Sequence, residues 1–127
     1  MNAAGFIAVG LGALLGAWSR WALSVVLNQL WPALPPGTLA VNLIGGFLIG
    51  AAFELFSQQA TLPVEWRLFF ITGFLGSLTT FSAFSLEAVT LLQGGRYGWA
   101  LALAASHLFG SLLMTVAGFA TVRFFSG

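Results

Sequence analysis

The sequence predicts an all-α membrane protein of four transmembrane helices. Of its 127 residues, 59% are hydrophobic and only 6% are charged, against about 25% charged in a soluble domain. Four apolar stretches each reach the length, about 20 residues, that a helix needs to cross a hydrocarbon core roughly 30 Å thick. The joints between them carry the helix breakers, including all four prolines.

The first stretch runs from about Ala3 to Leu27. It opens MNAAGF, with no basic segment ahead of it and no A-x-A site behind it, so it is expected to stay as a span of the mature protein. NQLWPALPPG, with Pro32, Pro35 and Pro36, ends it. The second stretch spans Thr38 to Phe56 and stops at SQQATLPVE, which holds Pro63. The third runs from Arg67 to Leu92 and the fourth from Trp99 to Phe125, separated by QGGRYG with Gly94, Gly95 and Gly98. Tryptophan favours the headgroup level, and Trp31, Trp66 and Trp99 fall at these ends. The expected organisation is one four-helix transmembrane domain over 1–127. Such a chain leaves no soluble unit for catalysis, and an enzyme is not expected.

The charges are Arg20, Arg67, Arg96, Arg123, Glu54, Glu65 and Glu87. They neither cluster nor build a basic face, so a nucleic-acid partner is not expected. With no cysteine, disulfides and thiolate metal sites are excluded. His107 is the sole histidine and reads as a satisfied structural residue. Four spans put both termini on one side. Arg67 and Arg123 then face Arg20 and Arg96 across the membrane, two against two. Orientation follows an imbalance of Lys and Arg, and here there is none. Either a partner sets it or the protein inserts both ways up.

Small residues recur at helical spacing: Gly12, Gly16 and Arg20 form one row, Gly46 and Gly50 a second, Ser106 and Gly110 a third. Such rows let helices approach closely in lipid. A four-helix protein of this size encloses little interior, so function is expected to need an oligomer.

Polar groups in hydrocarbon are costly and mark candidate pathways. Thr38 and Asn42 stand at i,i+4 in span two, followed by Gly45 and Gly46. The Asn42 amide has two donors, suited to a desolvated anion or to clamping another helix. Span three contains GFLGSLTTFSAFSLE, 73–87. Gly73, Gly76, Ser77, Thr79 and Thr80 fit poorly in an unbroken membrane helix, and a break is expected near 76–80. Freed carbonyls there would suit a hard cation such as sodium, and freed amides an anion. The alternative is a continuous helix whose hydroxyls bond back to the preceding turn. Beyond it, Phe81 and Phe84 share a face, with Ser82 and Ser85 beside them and Glu87 next in the aromatic row. Ring edges are positive and would hold an anion without trapping it; simple packing is the other role open to the pair. His107, Ser111 and Thr115 form a polar stripe in span four. Arg20 is expected to snorkel into a vestibule, where its field is screened, or to pair with Glu87. No carboxylate lies mid-span, which weighs against a proton-coupled antiporter.

Three segments, GAWSR at 16–20, GTLAVNLIGGFLIG at 37–50 and GFLGSLTTFSAFSLE at 73–87, resemble the CrcB/Fluc fluoride channels, and the likeness covers nearly the full chain. The resemblance implies passive fluoride export through the cell's inner membrane, and an antiparallel dual-topology homodimer with two pores. It implies pore roles for Asn42, Phe81, Phe84, Ser82, Ser85 and Ser111, with Thr115 on the same stripe, and a vestibule role for Arg20. It also implies a structural sodium ion at the dimer interface, held by the backbone carbonyls of Gly76 and Thr79, and no other cofactor. The runner-up readings are a small dual-topology multidrug or cation exporter and a structural membrane subunit.

Overall fold

A computed structural model describes residues 1–127 and is entirely helical, without strands. Four of its helical stretches are long and apolar enough to cross a membrane. Span one is α1 (Ala3–Leu27), with a single 3-10 turn, Asn28–Leu30, at its end. Span two is α2 (Pro36–Ser57). Span three occupies Val64–Gln93. It is composed of α3 (Val64–Arg67), a π-helix (Leu68–Leu75), α4 (Gly76–Leu78) and α5 (Phe81–Gln93). Span four is α6 (Tyr97–Ser126). The second, third and fourth spans start two or three residues before the apolar stretches read from the sequence.

Local chemistry fixes several of these ends. Asn2 caps α1, its Oδ1 accepting from Gly5 N at 2.8 Å; this satisfies one of the N–H donors a helix start leaves unpaired. Pro36 opens α2, where its fixed φ suits a first helical residue and no N–H is missed. Between spans three and four the chain reverses through Gly95 at φ 73°, a left-handed conformation that glycine adopts without strain.

The helices pair in parallel. Span one lies along the first half of span three, and span two along span four, and these are the two extensive contacts of the fold. Glycines permit both pairings. A Cβ on Gly50 would run into the Thr115 carbonyl oxygen and sit 3.1 Å from Phe119 N. One on Gly118 would strike Phe47 O and lie 2.8 Å from Ala51 N. One on Gly12 would strike Phe69 O, and one on Gly73 would sit 2.5 Å from Val9 O. Close backbone approach of this kind replaces the hydrophobic driving force that lipid removes. The core is accordingly thin: Leu103, Val41 and Thr38 are its largest fully buried side chains. Most leucine, valine and phenylalanine side chains point outward, as a hydrocarbon solvent allows.

Tryptophans mark both rims. Trp31 and Trp99 meet edge to face at 5.5 Å beside the loops that follow spans one and three. Trp66 stacks on Phe70 at 6.0 Å on the side of the termini. On that side Arg123 Nε lies 3.2 Å from Glu54 Oε1, the one ion pair of the chain.

The π-helix is absent from the sequence reading, since nothing in LFFITGFL marks it. Gly76 N donates to Ile71 O, an i→i+5 bond that widens the helix where it lies against Gly12 and Gly16. Beyond it, Thr79 (φ −83°, ψ 155°) and Thr80 (φ −148°, ψ 112°) are extended.

Gly50→Leu should cost about 3 kcal/mol or more, because the clash is with backbone that cannot move aside. Gly10→Val, at a position with nothing within 4 Å, should leave the protein folded. Thermal melting and size-exclusion profiles of the two variants check this. An unchanged melt for Gly50→Leu would refute the close pairing of spans two and four.

Candidate functional site

At Thr80 the extended backbone presents an N–H and a C=O that no helix satisfies, and in a membrane such groups must find protein partners. Asn42, on α2, supplies both. Its Oδ1 accepts from Thr80 N at 2.8 Å, and its Nδ2 donates to Thr80 O at 3.0 Å. The side-chain amide thus takes the place of a neighbouring peptide. Thr80 then caps α5, its Oγ1 accepting from Ala83 N at 3.1 Å. On the other flank, Thr79 N and Oγ1 both donate to Leu75 O, at 3.1 and 2.9 Å. A Cβ on Gly45 would collide with Thr79 Cγ2, so the absence of a side chain at 45 is what seats Thr79 against span two.

The same amide reaches span four. Asn42 Nδ2 lies 3.0 Å from His107 Nδ1. Since Thr80 N fixes which end of the amide is oxygen, the His107 Nδ1 must accept, and the imidazole carries its hydrogen on Nε2. That Nε2 is buried and has no partner in the chain. The His107 ring packs on Phe84 with centroids 4.7 Å apart, and Phe84 meets Phe81 edge to face at 5.5 Å and 61°.

These groups line one open cleft of about 490 Å³, with Asn42, Gly76, Thr79, Phe81, Phe84, His107 and Ser111 among its walls. The cleft therefore gathers residues from spans two, three and four. Phe81 is 78% exposed and Phe84 half-buried. No arginine or carboxylate lines it. No three His, Cys, Asp or Glu residues gather anywhere in the chain to hold a metal ion.

The remaining residues singled out in the sequence lie off this wall. Ser82 Oγ is 3.3 Å from Thr80 Oγ1, while Ser85 is half-buried on α5 outside the cleft lining. Thr115 Oγ1 sits 2.9 Å from Gly46 O and 3.0 Å from Ser111 O, a contact between spans two and four. Arg20 does not pair with Glu87; its Nε donates to Ser77 O at 3.0 Å. Glu87 is instead held by Thr38, whose Oγ1 donates to Oε2 at 2.6 Å. Asn28 braces Thr38, accepting from its N at 3.0 Å and donating to its Oγ1 at 3.2 Å. Glu87 Oε1 is buried without a partner.

His107 is the residue that the sequence reading undervalued. The signal for it is a pair of matching rows: Asn42, Gly46 and Gly50 on span two, and His107, Ser111 and Thr115 on span four, both at i,i+4. Parallel pairing brings the rows together rung by rung, Asn42 to His107, Gly46 to Ser111 and Gly50 to Thr115.

Comparison with known proteins finds relatives over nearly the full length of the chain. Residues 7–119 match the family model described as CrcB-like protein, Camphor Resistance (CrcB). A protein of Pseudomonas putida (strain W619) named fluoride-specific ion channel FluC is 60% identical over 95% of both chains. Proteins of the same name from Cupriavidus pinatubonensis and Ralstonia pickettii are 59% and 56% identical, over 97% and 99% of this chain and 98% and 100% of theirs. The chain belongs to the CrcB-like family.

Proposed function

We propose that this protein is a fluoride channel that lets the ion leave the cytoplasm passively. The observation that carries the proposal is the 60% identity, over 95% of both chains, to a relative named as a fluoride-specific ion channel. It is a multi-pass membrane protein with four spans, and in bacteria, the source of these relatives, such a protein sits in the inner membrane. No covalent step is involved and it is not an enzyme. Neutral HF enters a cell from acidic surroundings and ionises inside, so an anion pore suffices for export.

The cleft supplies the chemistry this needs. A conducting site must replace an ion's water yet release the ion. Phe81 and Phe84 offer positive ring edges. His107 offers an Nε2–H that the fold leaves unused. Asn42 has both its hydrogens engaged, by Thr80 O and by His107 Nδ1, so it serves an ion by exchanging one of these bonds. Ser111 lies on the same wall, while Ser82, Ser85 and Thr115 lie outside the lining and would reach an ion only beyond the cleft. With no fixed cation in the cleft, nothing holds the ion too tightly.

The cleft is open on one face, and Phe81 projects from it. A second copy, inverted in the membrane, would close it into a pathway shared by both chains. The balanced arginines support insertion in both orientations, and the antiparallel homodimer would carry two such pathways. The turn of span three also suits a sodium ion. In a continuous helix Thr80 N would bond to Gly76 O; here it goes to Asn42. Gly76 and Thr79 both line the cleft, and backbone carbonyls are hard oxygen ligands of the kind such an ion takes. One chain offers two of them, and two chains would offer four. The ion would tie the two turns together; it takes no part in moving fluoride.

Phe81→Ile and Phe84→Ile keep the bulk and remove the ring quadrupole, and Asn42→Asp turns an amide donor into a carboxylate. Each should slow fluoride efflux from liposomes at least about tenfold, equivalent to about 1.4 kcal/mol on the barrier, in protein that still assembles. Normal efflux by both Phe81→Ile and Asn42→Asp would put the pathway elsewhere.

Replacing sodium by a bulky organic cation on both sides of the membrane should reduce efflux or dissociate the dimer, as judged by flux and by cross-linking. Indifference to sodium in both assays rules out the ion. A C-terminal tag labelled from each side of sealed cells should be accessible from both. Label confined to one side would exclude dual topology.

A further inference from the structure

Arg20 ends the row Gly12, Gly16, Arg20, and every member of that row touches the first half of span three. A Cβ on Gly12 would strike Phe69 O, and one on Gly16 would strike Phe74 O and Ser77 Oγ. One turn further on, Arg20 Nε donates to Ser77 O at 3.0 Å. Helix α1 is thus seated by two glycines and fastened by a guanidinium. The fastened carbonyl lies just before extended Thr79 and Thr80.

A helix end leaves its last carbonyls without donors from the next turn, and hydrocarbon offers no water in their place. Here the carbonyls are treated differently one by one. Leu75 O receives Thr79 N and Thr79 Oγ1. Ser77 O receives Arg20. Gly76 O, between them, has lost Thr80 N to Asn42. Asn42 from one side and Arg20 from the other therefore pin the turn, which leaves the Gly76 and Thr79 carbonyls pointing where the two clamps hold them. A positive charge is also favourable at the carboxyl end of the helical stretch that begins at Val64.

We infer that Arg20 is a positioning residue, whose Nε–H bond to Ser77 O fixes the span-three turn, and not chiefly a source of positive potential for the ion. For its transport readout this rests on the fluoride pathway and sodium site proposed above. For its spectroscopic readout it rests on the Arg20–Ser77 bond alone.

Two substitutions separate donor from charge. Glutamine places an amide nitrogen at the same number of bonds from Cα as arginine Nε, so Arg20→Gln keeps the donor and loses the charge. Lysine has a methylene at that place and its ammonium one atom beyond, so Arg20→Lys keeps the charge and takes the donor away from that place. In fluoride efflux from sodium-loaded liposomes, Arg20→Gln should stay within about threefold of the unmodified protein. Arg20→Lys should lose at least about tenfold, the weight of one charge-assisted hydrogen bond, and should need more sodium for half-maximal flux. The opposite order, with lysine active and glutamine inactive, overturns the inference in favour of charge. So does equal activity or equal loss in the two variants.

The bond itself is read in the unmodified protein, in micelles, from the ¹⁵N-labelled arginine side chains. The resonance that vanishes in Arg20→Lys should show an Nε–H exchanging at least about tenfold more slowly than that of exposed Arg96. Exchange as fast as Arg96 overturns the inference whatever ion the protein carries. Unmodified protein that passes no fluoride overturns the functional proposal instead, and leaves this measurement standing.

Discussion

The two-point pairing of Asn42 with the Thr80 backbone is the constraint on which the rest of the structure depends. An extended residue inside a membrane span exposes a donor and an acceptor that hydrocarbon cannot satisfy. A side-chain amide carries a donor and an acceptor on separate atoms and can answer both at once. Because Asn42 does so at 2.8 and 3.0 Å, span three can leave helical geometry at Thr79 and Thr80 and resume it at Phe81. Every special feature nearby follows from that departure: the cap on α5, the redirected donor of Gly76 O, and the placing of Phe81 and Phe84 at the start of a fresh helix facing the cleft.

For Asn42 to reach Thr80, span two must lie close to both its neighbours, and the glycines see to that. Gly45 admits Thr79, and Gly46 and Gly50 admit the backbone of span four, with Gly118 answering from the other helix. Span one performs the matching task for the first half of span three through Gly12 and Gly16. The fold is therefore two tightly seated parallel pairs, and the turn of span three is where they are tied together. Its apolar core is small because packing in lipid rewards backbone proximity more than side-chain burial.

Much of this was legible in the sequence, and the reasons for the exceptions are physical. Span positions follow from apolar length and from the breakers at Pro36, Pro63 and Gly95, so α1 at Ala3–Leu27 and α2 at Pro36–Ser57 lie on or next to the expected stretches. The gathering of Asn42, Gly76, Thr79, Phe81 and Phe84 around one cleft follows from motifs whose polarity is out of place in hydrocarbon. The π-helix at Leu68–Leu75 could not be read, because its i→i+5 bonds come with close packing on another helix and leave no local pattern. The partners of His107, Glu87 and Arg20 were also hidden. Asn42 and His107 are 65 residues apart, Thr38 and Glu87 49, Arg20 and Ser77 57, and no spacing along one helix encodes such contacts. The alternative in which Arg20 pairs with Glu87 rested on their sharing a membrane side. It failed because each had a nearer polar group to satisfy, a helix-end carbonyl for the one and a threonine hydroxyl for the other.

That economy of donors bears on how an anion could be handled without a cation. The hydroxyls of Ser77, Thr79, Thr90, Ser106 and Thr121 all donate to carbonyls of their own helix turn, so they are not free to solvate anything that passes. Asn42 is fully engaged as well. What remains beside the cleft is weak or solitary: two ring edges, one imidazole N–H and the Ser111 hydroxyl. Strong donors are consumed in holding the turn, and on the proposed pathway weak ones would be left to face the ion. The division also separates two kinds of residue. At Asn42 the proposed recognition would use the same atoms that hold the turn, so changing it would disturb both. At Phe81, 78% exposed, the ring touches Phe84 edge to face and holds no backbone group in place, so a substitution there leaves the turn of span three intact.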